Sequence, residues 1–464
     1  MLTVMLALGA GFGAGGLPTA AEAEMRVPTS AAEISLGFVP LVKQAAPAVV
    51  NIYARRVVEV RQSPFGGDPF FQNMFRDFGE TRPRVQNSLG SGVILSPDGI
   101  VVSNYHVVGM STDIRVQLKD RREYAARVLL ADQESDLAIL QLEGASDMPH
   151  LGLRDSDTVE VGELVLAIGN PFGVGQTVTS GIVSGLARSG TATGNARGYF
   201  LQTDAPINPG NSGGALIDVS GALIGVNTSI LTRSGGSNGI GFAIPSALVR
   251  QFVAQARAGN TAFERPWAGM AGQPVDADLA GGLQLDRPGG IVISDLHPQS
   301  PFAAIGFQPG DVILEVGGQP VNTPAEMVFR MSVAGIGTTV AVTALKDGRL
   351  DTAPVSLIAA PETPARDRLT TGDGSAVPGL VLSNINPAVI GQFGLPLNLG
   401  RVVVEDPGPV GARLGLRPGD VLLSIDGTAV ETSGEARGAL RQARRRVTLE
   451  IQRGTQRLVS RFRL

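Results

Sequence analysis

Short alternating apolar runs dominate the chain from Leu89 to about Pro245. Each run is bounded by glycine, Asp-Gly or other turn residues, as in SGVILS at 91–96 and LAILQL at 137–142. Alternation of apolar and polar positions with a period of two is typical of half-buried β-strands. About a dozen strands in roughly 160 residues favour β-barrels or sandwiches over βαβ units. The pattern therefore predicts a mostly β fold.

The segments on either side of this series follow other patterns. An amphipathic stretch from Phe38 to Ala46 precedes a predicted strand at Ala48–Tyr53. A polar loop dotted with aromatic residues follows at 55–87, and its length predicts a functional or mobile loop because ordinary connections are shorter. At the other end, residues 246–262 predict a single helix that ends at Gly259.

The C-terminal part of the chain contains a duplication. Residues Gly306–Gln319 (GFQPGDVILEVGGQ) align with Gly415–Thr428 (GLRPGDVLLSIDGT) at an offset of 109 residues. That period is too long for a solenoid and fits two small domains in tandem. Between them, residues 361–376 have the composition of a linker.

Composition excludes several classes of function. The 464 residues are enough for about two to four domains, and a net charge of −4 makes nucleic acid an unexpected partner. The chain has no cysteine and only three histidines, with no H-E-x-x-H pair. We therefore expect neither a disulfide framework nor a metal site, and the chemistry described below needs no cofactor.

The first 23 residues are apolar and small, and Ala21-Glu22-Ala23 fits the A-x-A pattern of a signal-peptide cleavage site. The run is short and rich in glycine for a membrane span. No Lys or Arg precedes it, although a positive residue is usual at the start of a signal. We expect residues 1–23 to be a signal peptide, with membrane association as the open alternative.

The motif Gly210-Asn211-Ser212-Gly213-Gly214 is the sharpest chemical feature. Flanking glycines let the chain turn tightly and let a substrate carbonyl approach backbone N–H groups. Donors from Gly210, Asn211 and Ser212 would then form an oxyanion hole beside a serine nucleophile. Taken alone, the motif also fits an ordinary glycine-rich turn or the nucleophile elbow of an α/β-hydrolase.

Chain order separates these alternatives. An α/β-hydrolase places its acid and histidine after the serine, but the only later histidine, His297, lies in the duplicated region. Upstream, His106 ends one apolar strand and Asp136 opens another. The order His, Asp, Ser is that of chymotrypsin-like enzymes. Asp132 is a competing carboxylate, and Asp136 is preferred because the strand it opens can fix it against the imidazole.

Five motifs extend the pattern: SNYHVV, SDLAIL, GNPFGVGQTVTSGIVS, QTDAPINPGNSGGAL and GIGFAIPS. Together they resemble the HtrA/Deg family of serine proteases over residues 38–464. The resemblance implies a chymotrypsin-like double β-barrel followed by two PDZ domains. Its expected units are a signal peptide (1–23), a protease domain (24–260) with a regulatory loop (55–87), a first PDZ domain (263–360), a linker (361–376) and a second PDZ domain (377–464). Loops near 187–199 and 227–238 correspond to the family's activation and specificity loops.

Two binding surfaces are expected from the same resemblance. Ile207, Ile230 and Leu231 are candidates for an apolar specificity pocket that accepts small aliphatic residues. In the first PDZ domain, Trp267, Ala268, Gly269 and Met270 match the family's carboxylate-binding loop, where a peptide adds as an edge strand. The second match, Val377–Leu380, contains Pro378, which removes one N–H donor. Peptide capture and a structural or assembly role both remain open for that second domain.

The resemblance also implies a biological setting. We expect an ATP-independent endopeptidase of the periplasm that degrades misfolded or unfolded proteins, works as a homotrimer with larger cages, and binds peptide C-termini through its PDZ domains. The rival hypothesis is a non-proteolytic chaperone or PDZ scaffold with an inert barrel. The combination of His106, Asp136 and Ser212 in one module argues against the rival, since an inert protein has no physical need to combine them.

Overall fold

The computed structural model describes residues 37–62, 80–170, 175–189, 199–208, 210–230, 238–283, 285, 287–399, 401–443 and 446–463. The expected signal peptide, Leu231 and the middle of the expected regulatory loop lie outside these ranges.

Six strands form the first barrel: β1 (Val49–Gln62), β2 (Glu80–Ile94), β3 (Ile100–Ser103), β4 (Asp113–Gln117), β5 (Glu123–Asp132) and β6 (Leu137–Leu142). They close in the order β1-β2-β3-β6-β5-β4. Helix α1 (Val39–Ala45) and a 3-10 turn at Ala46–Ala48 precede the barrel, and the short helix α2 (Tyr105–Val108) follows β3. The ladder of β1 and β2 reaches from Val49↔Val93 to Gln62↔Glu80. Both ends of the segment expected to be a loop at 55–87 are therefore strand.

Six more strands form the second barrel: β7 (Leu164–Gly169), β8 (Thr177–Ser189), β9 (Tyr199–Thr203), β10 (Ala215–Asp218), β11 (Leu223–Ile230) and β12 (Gly241–Pro245). They close in the order β10-β11-β12-β9-β8-β7, and a 3-10 turn at Ser156–Thr158 lies between the barrels in sequence. Two closed six-stranded barrels confirm the mostly β, chymotrypsin-like fold class.

Alternate residues of the central strands build separate cores. In β3, Val101 packs inside the first barrel, whereas Ile100 and Val102 belong to a cluster shared by the two barrels. In β7, likewise, Ala167 packs inside the second barrel and Ile168 joins the shared cluster. Successive side chains of a strand point to opposite faces, so these strands bury both faces and read as nearly continuous apolar runs. The shared core docks one barrel against the other.

Helix α3 (Ser246–Arg257) covers this shared core. It matches the helix expected at 246–262, and the chain leaves it through Gly259, whose φ of 92° favours glycine. Phe252 on α3 is fully buried and stacks on Phe263 with ring centroids 4.0 Å apart. Among the helices in the described ranges, none has the length and apolar character that a membrane-spanning helix needs.

The two duplicated units have matching sheets. The first contains β13 (Met270–Pro274), β14 (Ile291–Leu296), β15 (Val312–Val316), β16 (Gln319–Pro320), β17 (Thr339–Lys346) and β18 (Arg349–Ser356), with helices α4 (Ala277–Gly282) and α5 (Pro324–Ala334) and a 3-10 turn at Ala303–Ile305. Its strand order is β13-β14-β15-β17-β18, with β16 on β15, so β13 is an edge strand.

The second unit has one additional strand. It contains β19 (Leu369–Thr370), β20 (Val381–Asn384), β21 (Val402–Asp406), β22 (Val421–Ile425), β23 (Thr428–Ala429), β24 (Arg446–Arg453) and β25 (Gln456–Arg463), with helices α6 (Pro387–Phe393), α7 (Gly408–Arg413) and α8 (Ser433–Gln442). The order is β19-β20-β21-β22-β24-β25, with β23 on β22. Although residues 361–376 have linker composition, β19 is part of this second sheet.

The first duplicated unit is fastened to the second barrel through α5. Phe329 stacks on Tyr199 with ring centroids 3.8 Å apart. The neighbouring Arg330 donates to the Tyr199 hydroxyl (2.6 Å), and its guanidinium lies 2.5 Å from a carboxylate oxygen of Asp157. Burial raises the pKa of the Tyr199 phenol, so the ring stays neutral. The contact therefore combines aromatic stacking with a largely buried ion pair.

We expect Phe252→Ala to lower the free energy of unfolding of the double barrel by about 3–5 kcal/mol, because it removes a fully buried ring and leaves a cavity. Urea unfolding followed by near-UV circular dichroism measures the change. Val219→Ala is the matched control, since Val219 is 61% exposed and its truncation is expected to change stability by less than about 0.5 kcal/mol. Equal effects of the two substitutions would contradict the assignment of the shared core.

Candidate active site

Two neighbouring strands of the first barrel bring His106 and Asp136 together. His106 lies on α2 directly after β3, and Asp136 directly precedes β6. The two strands pair with Ser103 opposite Ala138, so the residues beyond their ends meet at the same rim of the barrel. The upstream histidine and aspartate therefore converge despite being 30 residues apart.

The backbone of Asp136 is held in an uncommon conformation. Its φ is 53°, in the left-handed region that Asp and Asn tolerate better than most residues. Its carbonyl oxygen accepts hydrogen bonds from the Tyr105 N–H (3.1 Å) and from the Asn104 side-chain amide (2.9 Å). These bonds fix the direction in which the carboxylate points.

The Asp136 carboxylate binds groups from both barrels. Nδ1 of His106 lies 2.8 Å from Oδ2 and 2.9 Å from Oδ1 of Asp136, and the His106 N–H donates to Oδ1 at 3.0 Å. From the second barrel, the Thr228 hydroxyl donates to Oδ2 at 2.6 Å. The His106 side chain remains 50% exposed, so the imidazole is reachable from solvent while its Nδ1 side is occupied.

The competing carboxylate, Asp132, is engaged elsewhere. It lies 2.5 Å from the guanidinium of Arg265 and accepts the Ser135 N–H at 2.7 Å. Its contacts therefore anchor the chain that leads into the first duplicated unit.

The loop that carries Ser212 turns through two glycines, Gly210 and Gly213, with φ of 97° and 83°. A Cβ at Gly213 would lie 2.1 Å from the carbonyl oxygen of Ser91, so no other residue fits there without a shift. The Ser212 hydroxyl donates to the carbonyl oxygen of Thr228 at 2.9 Å. In this rotamer no hydrogen bond joins the described Ser212 hydroxyl to the described His106 ring.

Backbone donors in this loop fall into two groups. The N–H groups of Asn211 and Gly213 donate to the carbonyls of Asn208 (2.9 Å) and Asn227 (2.8 Å). Those of Gly210 and Ser212 have no acceptor among the described residues. Asn211 was expected to share in an oxyanion hole, and this expectation is wrong for its N–H, which the loop itself uses.

Ser91, on β2 of the first barrel, clamps the same loop. Its N–H donates to the carbonyl of Ser212 (2.9 Å), and its hydroxyl donates to the carbonyl of Gly210 (2.7 Å). That hydroxyl also accepts the Asn170 N–H at 2.8 Å. Ser91 is fully buried, so these bonds are shielded from water and set the position of the loop relative to the first barrel.

Of the expected specificity residues, Ile207 has a described side chain, and Ile230 is described by its strand pairing. Ile207 is 1% exposed and packs in the second barrel, and a Cβ on Gly241 would lie 2.8 Å from its Cδ1. Gly241 is the strand partner of Ile230. Leu231 lies outside the described residues.

The four residues expected to bind a peptide carboxylate lie at the start of β13. The Trp267 N–H is already bonded to the carbonyl of Ile358 (2.8 Å), and the carbonyl of Ala268 accepts the Ser300 hydroxyl (2.5 Å). Gly269 has φ of 61° and precedes Met270, the first residue of the edge strand. Near them, burial lowers the pKa of His297, which is remote from Ser212 in sequence and belongs to this unit.

Sequence reasoning missed Ser91 and Thr228. Both are small hydroxyl residues inside β-strands, where such residues are more often structural, and their contacts cross between the barrels. For Ser91 the available signal was its place at the start of the apolar run SGVIL, whereas Thr228 lies in the polar stretch Asn227–Ser229 and gave no such signal. Within the described ranges, no group of three or more His, Asp or Glu side chains is arranged to hold a metal ion.

Comparisons with known proteins agree with this geometry. Residues 90–226 match the trypsin-like peptidase domain, and residues 269–357 and 401–453 each match a PDZ domain. The periplasmic pH-dependent serine endoprotease DegQ of Escherichia coli K12 is 36% identical over 432 residues, covering 90% of this chain and 89% of DegQ. The periplasmic serine endoprotease DegP of the same organism is 36% identical over 397 residues, covering 84% of this chain and 80% of DegP.

A solved structure supports the same relationship. The HtrA-type protease AlgW with a decapeptide superimposes with a TM-score of 0.52 at 36% sequence identity, covering 70% of this chain and 99% of AlgW. Identity above 30% across most of both chains, together with one peptidase and two PDZ matches, places the chain among serine-type endopeptidases. It belongs to the HtrA family of serine endoproteases, the family of DegP and DegQ.

Proposed function

We propose that Ser212, His106 and Asp136 carry out peptide-bond hydrolysis as nucleophile, general base and orienting carboxylate. The observation that supports this most directly is the 2.8 Å contact between His106 Nδ1 and the Asp136 carboxylate, on a module that also presents Ser212. An acceptor on Nδ1 holds the proton there and leaves Nε2 free to take the proton of the serine hydroxyl.

We infer the following sequence of steps. The Ser212 oxygen attacks the substrate carbonyl carbon while His106 takes the hydroxyl proton. The N–H groups of Gly210 and Ser212 stabilise the negative charge that develops on the substrate oxygen. His106 then gives its proton to the leaving amine, and a water molecule, activated by the same imidazole, hydrolyses the acyl-enzyme. Asp136 stays ionised and stabilises the imidazolium formed in each half of the reaction.

The substrate pocket is proposed to be apolar. Ile207, beside the Ile230–Gly241 strand pair, supplies its described wall, and Leu231 is proposed to complete it. No carboxylate lies at Pro206, the position six residues before Ser212, so a basic side chain has no partner there. We infer a preference for small aliphatic residues before the scissile bond.

The cellular role is proposed from the relatives. DegP and DegQ are named periplasmic, and residues 1–23 have the pattern of an export signal. We infer that this chain is exported to the periplasm, degrades unfolded polypeptides without ATP, and assembles as a homotrimer. Trp267, Ala268, Gly269 and Met270 of the first PDZ unit are proposed to capture peptide C-termini, with the free edge of β13 accepting the peptide as an added strand.

Ser212→Ala is expected to abolish casein cleavage, because the variant lacks the nucleophile. Cleavage is measured as release of fluorescence from labelled casein, and thermal unfolding verifies that the variant is folded. A labelled fluorophosphonate should modify wild type at Ser212 and leave the variant unmodified. Undiminished cleavage by folded Ser212→Ala would contradict the proposed proteolytic mechanism. The hypothesis of a non-proteolytic chaperone would then remain.

Asp136→Asn is expected to lower kcat by about 10⁴-fold with little change in KM, because an amide cannot hold the required tautomer of His106. The test is steady-state hydrolysis of a chromogenic peptide by pure protein. Asp132→Asn is the matched control, since it alters a neighbouring carboxylate that pairs with Arg265. A larger loss of kcat in Asp132→Asn than in Asp136→Asn would instead assign the orienting carboxylate to Asp132.

Ser91→Ala is expected to lower kcat by roughly 10- to 100-fold, because the carbonyl of Gly210 and the N–H of Asn170 lose a buried partner and the nucleophile loop loosens. KM should change little, since Ser91 is fully buried and away from the substrate. Steady-state kinetics measure both constants, with Ser96→Ala as control, since Ser96 is a half-buried serine whose hydroxyl bonds are local to the turn after β2. A change confined to KM would argue against a positioning role.

A further inference from the structure

We propose that the second PDZ unit carries a built-in ligand: residues Arg366–Thr371 of the chain occupy its peptide groove, so external C-termini do not bind there. This inference goes beyond the proposed function, which concerns peptide capture by the first unit. It rests on the extra strand β19 and its contacts.

Strands β13 and β20 occupy equivalent places in the two units. Gly272 of β13 pairs with Ile293, and Leu382 of β20 pairs with Val404. The N–H groups of Ile293 and Val404 donate to the carbonyls of Asp311 and Asp420. These two aspartates hold the same place in the repeated motif P-G-D-V, so the two pairs correspond.

The outer edges of these equivalent strands differ. In the described part of the first unit, β13 ends its sheet and no strand covers its outer edge. In the second unit, β19 lies on that edge and runs antiparallel to β20, with Leu369 opposite Leu382 and Thr370 opposite Val381. An added strand on an exposed sheet edge is how a PDZ domain takes a peptide. The chain itself therefore supplies the strand that a ligand would add.

Thr371 occupies the place of a ligand carboxylate. Its carbonyl oxygen accepts the Gly379 N–H at 3.0 Å, and its hydroxyl oxygen accepts the Leu380 N–H at 2.9 Å. Gly379 has φ of 75° and precedes β20 as Gly269 precedes β13. Two oxygens of one buried residue thus consume the two backbone donors that a free C-terminus would need.

The other end of the segment is held by both walls of the groove. Asn384 on β20 donates its N–H to the carbonyl of Arg366 (2.7 Å) and its side-chain amide to the carbonyl of Ala365 (3.0 Å). Ser433, the first residue of α8, donates its hydroxyl to the carbonyl of Asp367 (2.7 Å). Arg368 adds an ion pair with Glu405 at 2.7 Å. The segment is therefore bonded along its length.

The first unit cannot hold such a segment in the same way. By the strand pairing, Pro274 stands where the second unit has Asn384, since Ile291 and Val402 are their partners. By the repeat offset, Pro324 at the start of α5 stands where the second unit has Ser433 at the start of α8. Proline has neither the N–H nor the hydroxyl that makes these bonds. The residues that fix the built-in ligand belong to the second unit alone.

The test uses the full-length chain carrying Ser212→Ala, to prevent cleavage, and Met270→Glu, which places a carboxylate in the first unit's loop to repel a peptide C-terminus. The probe is a fluorescein-labelled synthetic decapeptide of residues 362–371 with a free C-terminal carboxylate, followed by fluorescence anisotropy. With the native linker we expect no binding. Replacing residues 366–371 by an alternating Gly-Ser sequence should create one site per chain, and an amidated probe should lose at least about 10-fold in affinity there.

The matched control is Asp373→Ser, an exposed change just beyond the segment, which should leave the chain unable to bind the probe. Binding by the native-linker protein would show an open groove and overturn the proposal. Lack of binding by a folded Gly-Ser variant, with an unchanged circular dichroism spectrum, would also overturn it. The readout does not require cleavage, and Met270→Glu suppresses capture by the first unit, so failure here is distinct from failure of the proposed function.

Amide hydrogen exchange gives a second test, which does not require the Gly-Ser replacement of residues 366–371. The N–H groups of Gly379 and Leu380 are bonded to Thr371, whereas the equivalent loop residue Gly269 has no described segment on its outer side. We expect the Gly379 and Leu380 amides to exchange at least about 100-fold more slowly than that of Gly269 in the same protein. Comparable exchange at the two loops would contradict a filled groove.

Discussion

The geometry of the site depends on one carboxylate that is bonded from both barrels. Asp136 receives the His106 ring and N–H from the first barrel and the Thr228 hydroxyl from the second. A charged group that is largely enclosed needs several donors, and here no single barrel supplies them all. The arrangement exists only while the shared core holds the barrels in register. The orientation of the His106 imidazole therefore depends on the docking of the two barrels.

The loop that carries Ser212 is also held by contacts from the opposite barrel. It belongs to the second barrel, yet Ser91 of the first barrel binds the carbonyls of Gly210 and Ser212. Gly213 has no room for a Cβ because the Ser91 carbonyl lies against it. The Asp136 carboxylate of the first barrel is thus bonded to the second barrel, and the Ser212 loop of the second barrel is bonded to the first. Glycine adopts the positive φ of Gly210 and Gly213 without strain, and the contacts from Ser91 fix where that turn lies.

Much of this arrangement could be predicted from sequence. Strand periodicity indicated the barrels, the count and order of histidines selected His106, and Asp136 was distinguished from Asp132 by the strand that follows it. The residues that escaped, Ser91 and Thr228, act through contacts between distant strands, which periodicity does not encode. Asn211 was assigned a donor role because the motif does not show which N–H groups the turn itself consumes. Strand β19 is only two residues long and lies in a segment of linker composition, so no pattern in the sequence predicted it.

The filled edge of the second PDZ unit has a consequence for self-association. An exposed strand edge offers unpaired N–H and C=O groups to any extended chain, and an unfolded polypeptide is such a chain. A protein surrounded by unfolded chains would form backbone hydrogen bonds with them at every exposed strand edge. Because β19 of the same chain pairs with β20, the backbone groups on this edge of β20 are no longer exposed to other chains. The edge of β20 is thereby closed to pairing with other extended chains.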